Sequence, residues 1–131
     1  MTEPDLSFGR EWRVRGRQDF ARIHAAKVRR ESGPLLVYGL PNDLPRLRIG
    51  LSVGRRVGNA VRRNRVKRQL REAFRLHRAG WAVGYDLLVV VRPHEATTVD
   101  AYAEHLGSAI RRLEQAWRKR RKPGDEGSSP G

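Results

Sequence analysis

The sequence predicts a two-layer α+β sandwich, one small sheet packed against helices, and three patterns carry that prediction. Apolar residues alternate with polar ones over residues 47–53 and run unbroken over residues 87–91. They recur at helical spacing from Val66 to Phe74 and again from Val99 to Trp117. Period-two alternation marks a half-buried strand, an unbroken short run a strand buried on both faces, and i, i+4, i+7 spacing an amphipathic helix. With the shorter signals below, the order is helix–strand–strand–helix–strand–helix, which closes one core by laying helices on a sheet.

Residues 1–9 read as a loose terminus, and Met1-Thr2-Glu3-Pro4-Asp5 lacks the basic-then-apolar pattern of a signal peptide. Asp19 is placed to cap a short helix through about Lys27, with Phe20, Ile23 and His24 on one side. Residues 35–40 form a strand on which Leu36 and Tyr38 share a face. Pro41-Asn42-Asp43-Leu44-Pro45 is a turn cluster, followed by the strand carrying Leu47, Ile49, Leu51 and Val53. So short a connection predicts that these two strands pair antiparallel. Asn59 is the natural N-cap of the next helix, which gathers Val66, Leu70, Ala73 and Phe74 on one side and ends at Gly80. Asn64, Arg65, Arg68, Arg71 and Arg75 fall on its other side. Residues 86–91 form the fully buried strand, stopped by Pro93, and Thr97 or Thr98 starts the last helix. One domain over residues 10–117 follows, with residues 118–131 a basic then Gly/Ser/Pro-rich tail that reads as disordered.

Composition narrows the function. The 131 residues hold 28 Lys plus Arg against 14 Asp plus Glu, a net charge of +14. So high a charge on one domain is self-repulsive unless a polyanion neutralises it. The excess is concentrated: residues 46–78 carry 12 basic residues and a single acid, Glu72, while the other 98 residues carry 16 basic and 13 acidic groups. No cysteine is present, which excludes disulfides and thiolate metal sites. No apolar run reaches the roughly 18 residues of a membrane helix. A cytoplasmic protein that binds nucleic acid is expected.

Arg62 and Arg63 sit in the first turn of the Asn59-capped helix, with Arg65 just after. Cations are disfavoured there by the macrodipole, by a few tenths of a kcal/mol each. A bound phosphate removes the conflict, meeting the free N–H groups and the guanidinium groups together. Asn64 can read a base edge or a 2′-hydroxyl. The plainer alternative is a solvated basic helix face. A leucine-zipper basic region is excluded, because Gly80 and Trp81 interrupt where leucines would have to continue.

The run RIGLSVGRRVGNAVRRNRVKRQLREAFR over residues 48–75, centred on Arg63-Asn64-Arg65, resembles the signature of the bacterial ribonuclease P protein family. The likeness extends more weakly over about residues 10–117. It implies a short extra strand near residues 28–31, giving helix, three strands, helix, strand, helix. It also implies a left-handed strand–helix–strand crossover, against the general right-handed rule. The resemblance implies that Arg55, Arg56, Asn59, Arg62, Arg63, Asn64, Arg65, Lys67, Arg68 and Arg71 contact a catalytic RNA subunit. A cleft between the first helix and the sheet, with Phe20, Leu36 and Tyr38, would hold the single-stranded 5′ leader of precursor tRNA. His24 stands where some members carry a second aromatic ring.

The implied activity is that of a subunit of an endoribonuclease that removes the 5′ leader. Catalysis would lie in the RNA and its magnesium ions, with no cofactor, metal or catalytic residue in this chain. His24, His77, His94 and His105 are scattered without metal-ligand spacing; His77 falls on the apolar side of its helix and His105 in the polar part of the last one. No membrane and no obligate protein partner are implied. A ribosomal or other structural RNA-binding protein would share the charge but lack the cleft. A nonspecific nucleic-acid chaperone would need neither Asn64 nor an aromatic groove. A protein-only nuclease would need a carboxylate cluster that the sequence does not offer.

Overall fold

The last strand of the sheet, β4 (Tyr85–Val91), takes a central place because its apolar run needs cover on both faces. The computed structural model describes residues 9–14 and 16–121, the last as backbone only. The other elements are α1 (Gly16–Ala25), β1 (Arg29–Ser32), β2 (Leu35–Pro41), β3 (Arg48–Val53), α2 (Ala60–His77) and α3 (Val99–Arg121). The strand order is β1-β2-β4-β3. β4 pairs antiparallel with β2 and parallel with β3, and α2 makes the crossover between that parallel pair.

The expected β2–β3 pair does not form. The two strands do run in opposite directions, but β4 lies between them. The physical reason is the pattern of β3 itself: Arg48 and Ser52 on one face suit an edge, whereas β4 is buried almost throughout. The extra strand expected from the resemblance is β1, whose polar sequence Arg-Arg-Glu-Ser fits its place at the opposite edge.

One face of the sheet carries the main core. Leu35, Val37, Ile49, Leu87, Val89 and Val91 pack there against Val66, Leu70 and Phe74 of α2 and Tyr102, Leu106, Ile110 and Leu113 of α3. All four residues expected on the apolar side of α2 are buried. The cap is as expected, with the Asn59 carboxamide oxygen accepting from the Arg62 N–H at 2.9 Å. Gly58 before it has φ 154°, a conformation that disfavours a side chain. Thr98 caps α3, its hydroxyl accepting from the Ala101 N–H at 3.1 Å.

The other face carries a smaller cluster, Val14, Ile23, Tyr38 and Leu88 with Phe20, Leu36, Leu40 and Val90 around it, beneath α1. That helix begins at Gly16, so Asp19 sits in its first turn and pairs with Arg22 at 3.6 Å instead of capping it. The polar Gly16-Arg17-Gln18 turn offers no apolar periodicity to mark this start. At the far end α3 continues through Arg121, so the domain runs past residue 117 and the first part of the expected tail is helical. Residues 122–131 lie outside the described residues, as do residues 1–8.

Candidate nucleic-acid interface

The basic face of α2 is built by the same periodicity that buries its apolar side. Arg55 and Arg56 occupy a short 3-10 turn before it, and Asn59, Asn64, Arg65, Arg68 and Arg71 are exposed along it. The first-turn arginines are not equivalent. Arg62 donates to the His94 carbonyl and Arg63 donates through Nε to the Gly58 carbonyl at 3.1 Å, so both side chains are oriented by backbone. Arg65 is unengaged: among the described residues, the side chains of Arg55, Arg56, Asn64, Arg65, Lys67 and Arg68 make no hydrogen bond or ion pair. Cations left unneutralised at a helix N-terminus are a site for phosphate.

Other arginines of the basic segment are occupied within the fold: Arg75 pairs with Glu72 at 2.8 Å, and Arg78 is buried over the Trp12 ring. Arg46 donates to the Glu11 carbonyl at 2.7 Å. Arg48 grips Asp86 with two hydrogen bonds of 2.7 and 2.6 Å. Asp86 is 0% exposed and also accepts from Asn42 at 2.8 Å and Arg22 at 2.9 Å. Burial pushes its carboxyl up, but the bonds from Arg48, Asn42 and Arg22 outweigh it and hold the group below the usual carboxylate range. Sequence reasoning missed this group. The one available signal was an acid opening an otherwise apolar, fully buried strand, which demands partners.

On the α1 side of the sheet, the strand register sets Arg29, Tyr38, Leu88 and Gly50 in one row across all the strands. The row explains how α1 sits. A Cβ on Gly50 would lie 2.8 Å from the Phe20 ring, so only glycine lets the ring come so close. One turn on, the His24 ring covers Tyr38 at 4.8 Å and 31°. The Arg29 guanidinium stands 5.9 Å from the Tyr38 ring on its other flank. Tyr38 is only 5% exposed, and His24 is the exposed ring above it. Leu36 and Phe20 are half-buried beside them.

The two surfaces meet. A cavity of about 230 Å³ at the β3 edge is lined by Phe20, Val14 and Gly50 on one side and Lys67, Arg71 and Arg13 on the other. Partial burial of its guanidinium and the Arg13 charge both lower the Arg71 pKa, and an anion placed here would offset them by favouring the charged form. The remaining histidines lie apart. His77 is exposed and stacked on Trp81 at 6.3 Å, not on the buried side of α2. His105 bonds Ser32 at 3.0 Å, and His94 bonds Tyr102 at 2.6 Å. Among the described residues no group of three or more His, Asp or Glu is arranged to hold a metal, and no helix is long and apolar enough to cross a membrane.

A basic helix with unengaged arginines, joined through a cavity to a ring-bearing cleft beside α1, defines an α+β protein with a surface suited to a polyanion. The family model described as ribonuclease P matches residues 8–114. The ribonuclease P protein component of Desulfovibrio desulfuricans is 41% identical over 96 residues, 72% of this chain and 74% of that one. That of Herpetosiphon aurantiacus is 36% identical over 118 residues, 89% and 95% of the two chains. The solved RNase P protein from Thermotoga maritima superposes with a TM-score of 0.70 at 30% identity, covering 76% of this chain and 96% of that one. The chain belongs to the ribonuclease P protein family.

Proposed function

We propose that this chain serves ribonuclease P by binding its RNA subunit through the exposed face of α2 and the 5′ leader of precursor tRNA through the cleft under α1. The observation that carries the first half is the set of unengaged side chains at Arg55, Arg56, Asn64, Arg65, Lys67 and Arg68 on one exposed surface. Arg62 and Arg63, steered by backbone carbonyls, and Arg71 at the cavity extend that surface. Asn59 ends it as the helix cap. The second half rests on Phe20 and His24, whose rings offer stacking surface beside half-buried Leu36, with Tyr38 as the support beneath His24.

In this reading the chemistry of phosphodiester cleavage belongs to the RNA subunit and its magnesium ions. The chain's own side chains screen phosphate repulsion and hold the leader in place. Arginine suits the first task because its fork meets phosphate oxygens bidentately. The test has two parts. RNA recovered with the tagged protein should be dominated by one large structured species. Protein freed of all RNA should not cleave precursor tRNA at any magnesium concentration; robust cleavage by it would overturn the division of labour.

A further inference from the structure

A second basic surface lies at the opposite edge of the sheet from α2. A groove of about 640 Å³ between β1 and the C-terminal part of α3 is lined by Arg30, Arg112, Gln115, Ala116, Arg118 and Lys119. Among the described residues the lining holds four cations and no acid, and Ala116 adds an apolar patch. Arg112 is fixed as one wall by donating to the Glu31 carbonyl at 2.7 Å and the Ser108 carbonyl at 3.3 Å. Arg118 is shared with Glu114 at 3.3 Å. Arg30 donates to the neighbouring Arg29 carbonyl, and exposed Lys119 makes no hydrogen bond or ion pair among the described residues. Like charges gathered round a concave surface raise the local concentration of an anion and favour its binding there.

The strand pleat says which anion. Successive residues of a strand face opposite sides, so β1 sets Arg29 on the cleft face beside the Tyr38 ring and Arg30 on the α3 face in the groove. Basic charge therefore turns the β1 edge from Arg29 to Arg30, only one strand spacing, about 4.8 Å, from Tyr38 on β2, and the one acid of β1, Glu31, is paired with Arg92. The α2 surface lies toward the β3 edge, with α3 packed between α2 and β1, so RNA held there is not led to the groove in the same way.

We propose that the groove binds phosphates of the upstream part of the single-stranded 5′ leader after it leaves the cleft. The leader would then wrap the β1 edge. This rests on the reading of the cleft given above. Bases need not be read: guanidinium and ammonium groups beside an apolar patch accept any sequence, and binding should be strongly salt-dependent.

The experiment uses assembled holoenzyme and three ligands: precursor tRNA with a long leader, precursor with a leader confined to the cleft, and mature tRNA. Arg30→Ala with Lys119→Ala should weaken binding of the long-leader precursor about 3- to 10-fold and reduce its log–log salt slope by roughly 2, one per cation removed. The other two ligands should bind as before. Arg30→Lys with Lys119→Arg should retain the wild-type affinity, and unchanged urea midpoints show that folding is intact. Equal loss for all three ligands, or weaker assembly with the RNA subunit, would mean that the groove holds structured RNA and would overturn the proposal. So would no loss at all. Phe20→Ala is measured in parallel. Should it fail to distinguish leader from no leader, the cleft reading itself is wrong; should it succeed while the double variant does not, only the groove assignment falls.

Discussion

Replacing Asp86 tests how the cleft is held open, because this carboxylate is the point where α1, β3 and β4 are joined. Asp86→Ala removes the acceptor of two bonds from Arg48 and one each from Arg22 and Asn42. Breaking a buried pair from one side costs about 3–5 kcal/mol, most of it the penalty of the charge left behind. Here the cations are less buried than the acid: the Arg48 and Arg22 side chains are 24% and 44% exposed. Water can reach both, so the expected loss is at the low end, about 3 kcal/mol. For a chain of this size that lowers the Tm by about 10 °C. Because the folded-state carboxyl lies below its ordinary value, its contribution is fully present above the unfolded pKa of about 3.9 and is lost as pH falls through the folded one. Urea unfolding of wild type and variant should therefore differ by a constant amount near neutral pH and converge in acid. A gap below about 1 kcal/mol at pH 7, or one that persists unchanged in strong acid, would refute the assignment.

Arg65→Ala should weaken assembly with the RNA subunit by about 1–3 kcal/mol while far-UV circular dichroism is unchanged, since Arg65 has no described partner to lose. Val66→Asp, one residue on and 0% exposed, should instead unfold the domain in the same spectrum. Gly50→Ala places a methyl 2.8 Å from the Phe20 ring and 3.2 Å from Val14, so α1 must shift; leader affinity should fall while assembly with the RNA subunit is spared. If 6–8 phosphates are neutralised, log affinity for the RNA subunit should fall against log salt with a slope of roughly −4 to −7. Filter binding over a salt series reads it, and a slope near zero would contradict the electrostatic account.

The sequence made legible those parts of the fold that a period announces. The α2 and α3 stripes, the buried β4 run and the Asn59 cap all follow from local spacing, and each lies where that spacing put it. Strand neighbours do not follow from spacing. The short 42–47 connection argued for a β2–β3 pair, but burial of β4 on both faces decided the order. Polar elements were silent for the same reason: β1 and the first turn of α1 bury too little to impose a pattern. Within the candidate site, the exposed arginines of α2 were legible because charge was concentrated in one segment. Which basic residues of that segment the protein itself occupies was not, since the partners of Arg48 on β3 and of Arg62 and Arg63 on α2 come from a buried acid or from backbone carbonyls. The burial of Tyr38 beneath His24 depends on the placement of α1, a tertiary matter that composition cannot carry.

The most direct test of the account is a pair of dissociation constants for the Phe20→Ala holoenzyme, one for precursor tRNA and one for mature tRNA. Phe20 sits on the α1 side of the cavity that joins the cleft to Lys67 and Arg71, so it can be changed without touching the arginines. Losing one stacking surface costs roughly 1–3 kcal/mol per base, which predicts precursor binding weaker by about 5- to 100-fold. Mature tRNA has no leader, and its affinity should stay at the wild-type value, as should assembly with the RNA subunit. Equal loss for both ligands, with the urea midpoint unchanged, would contradict the assignment of the α1 cleft to the leader.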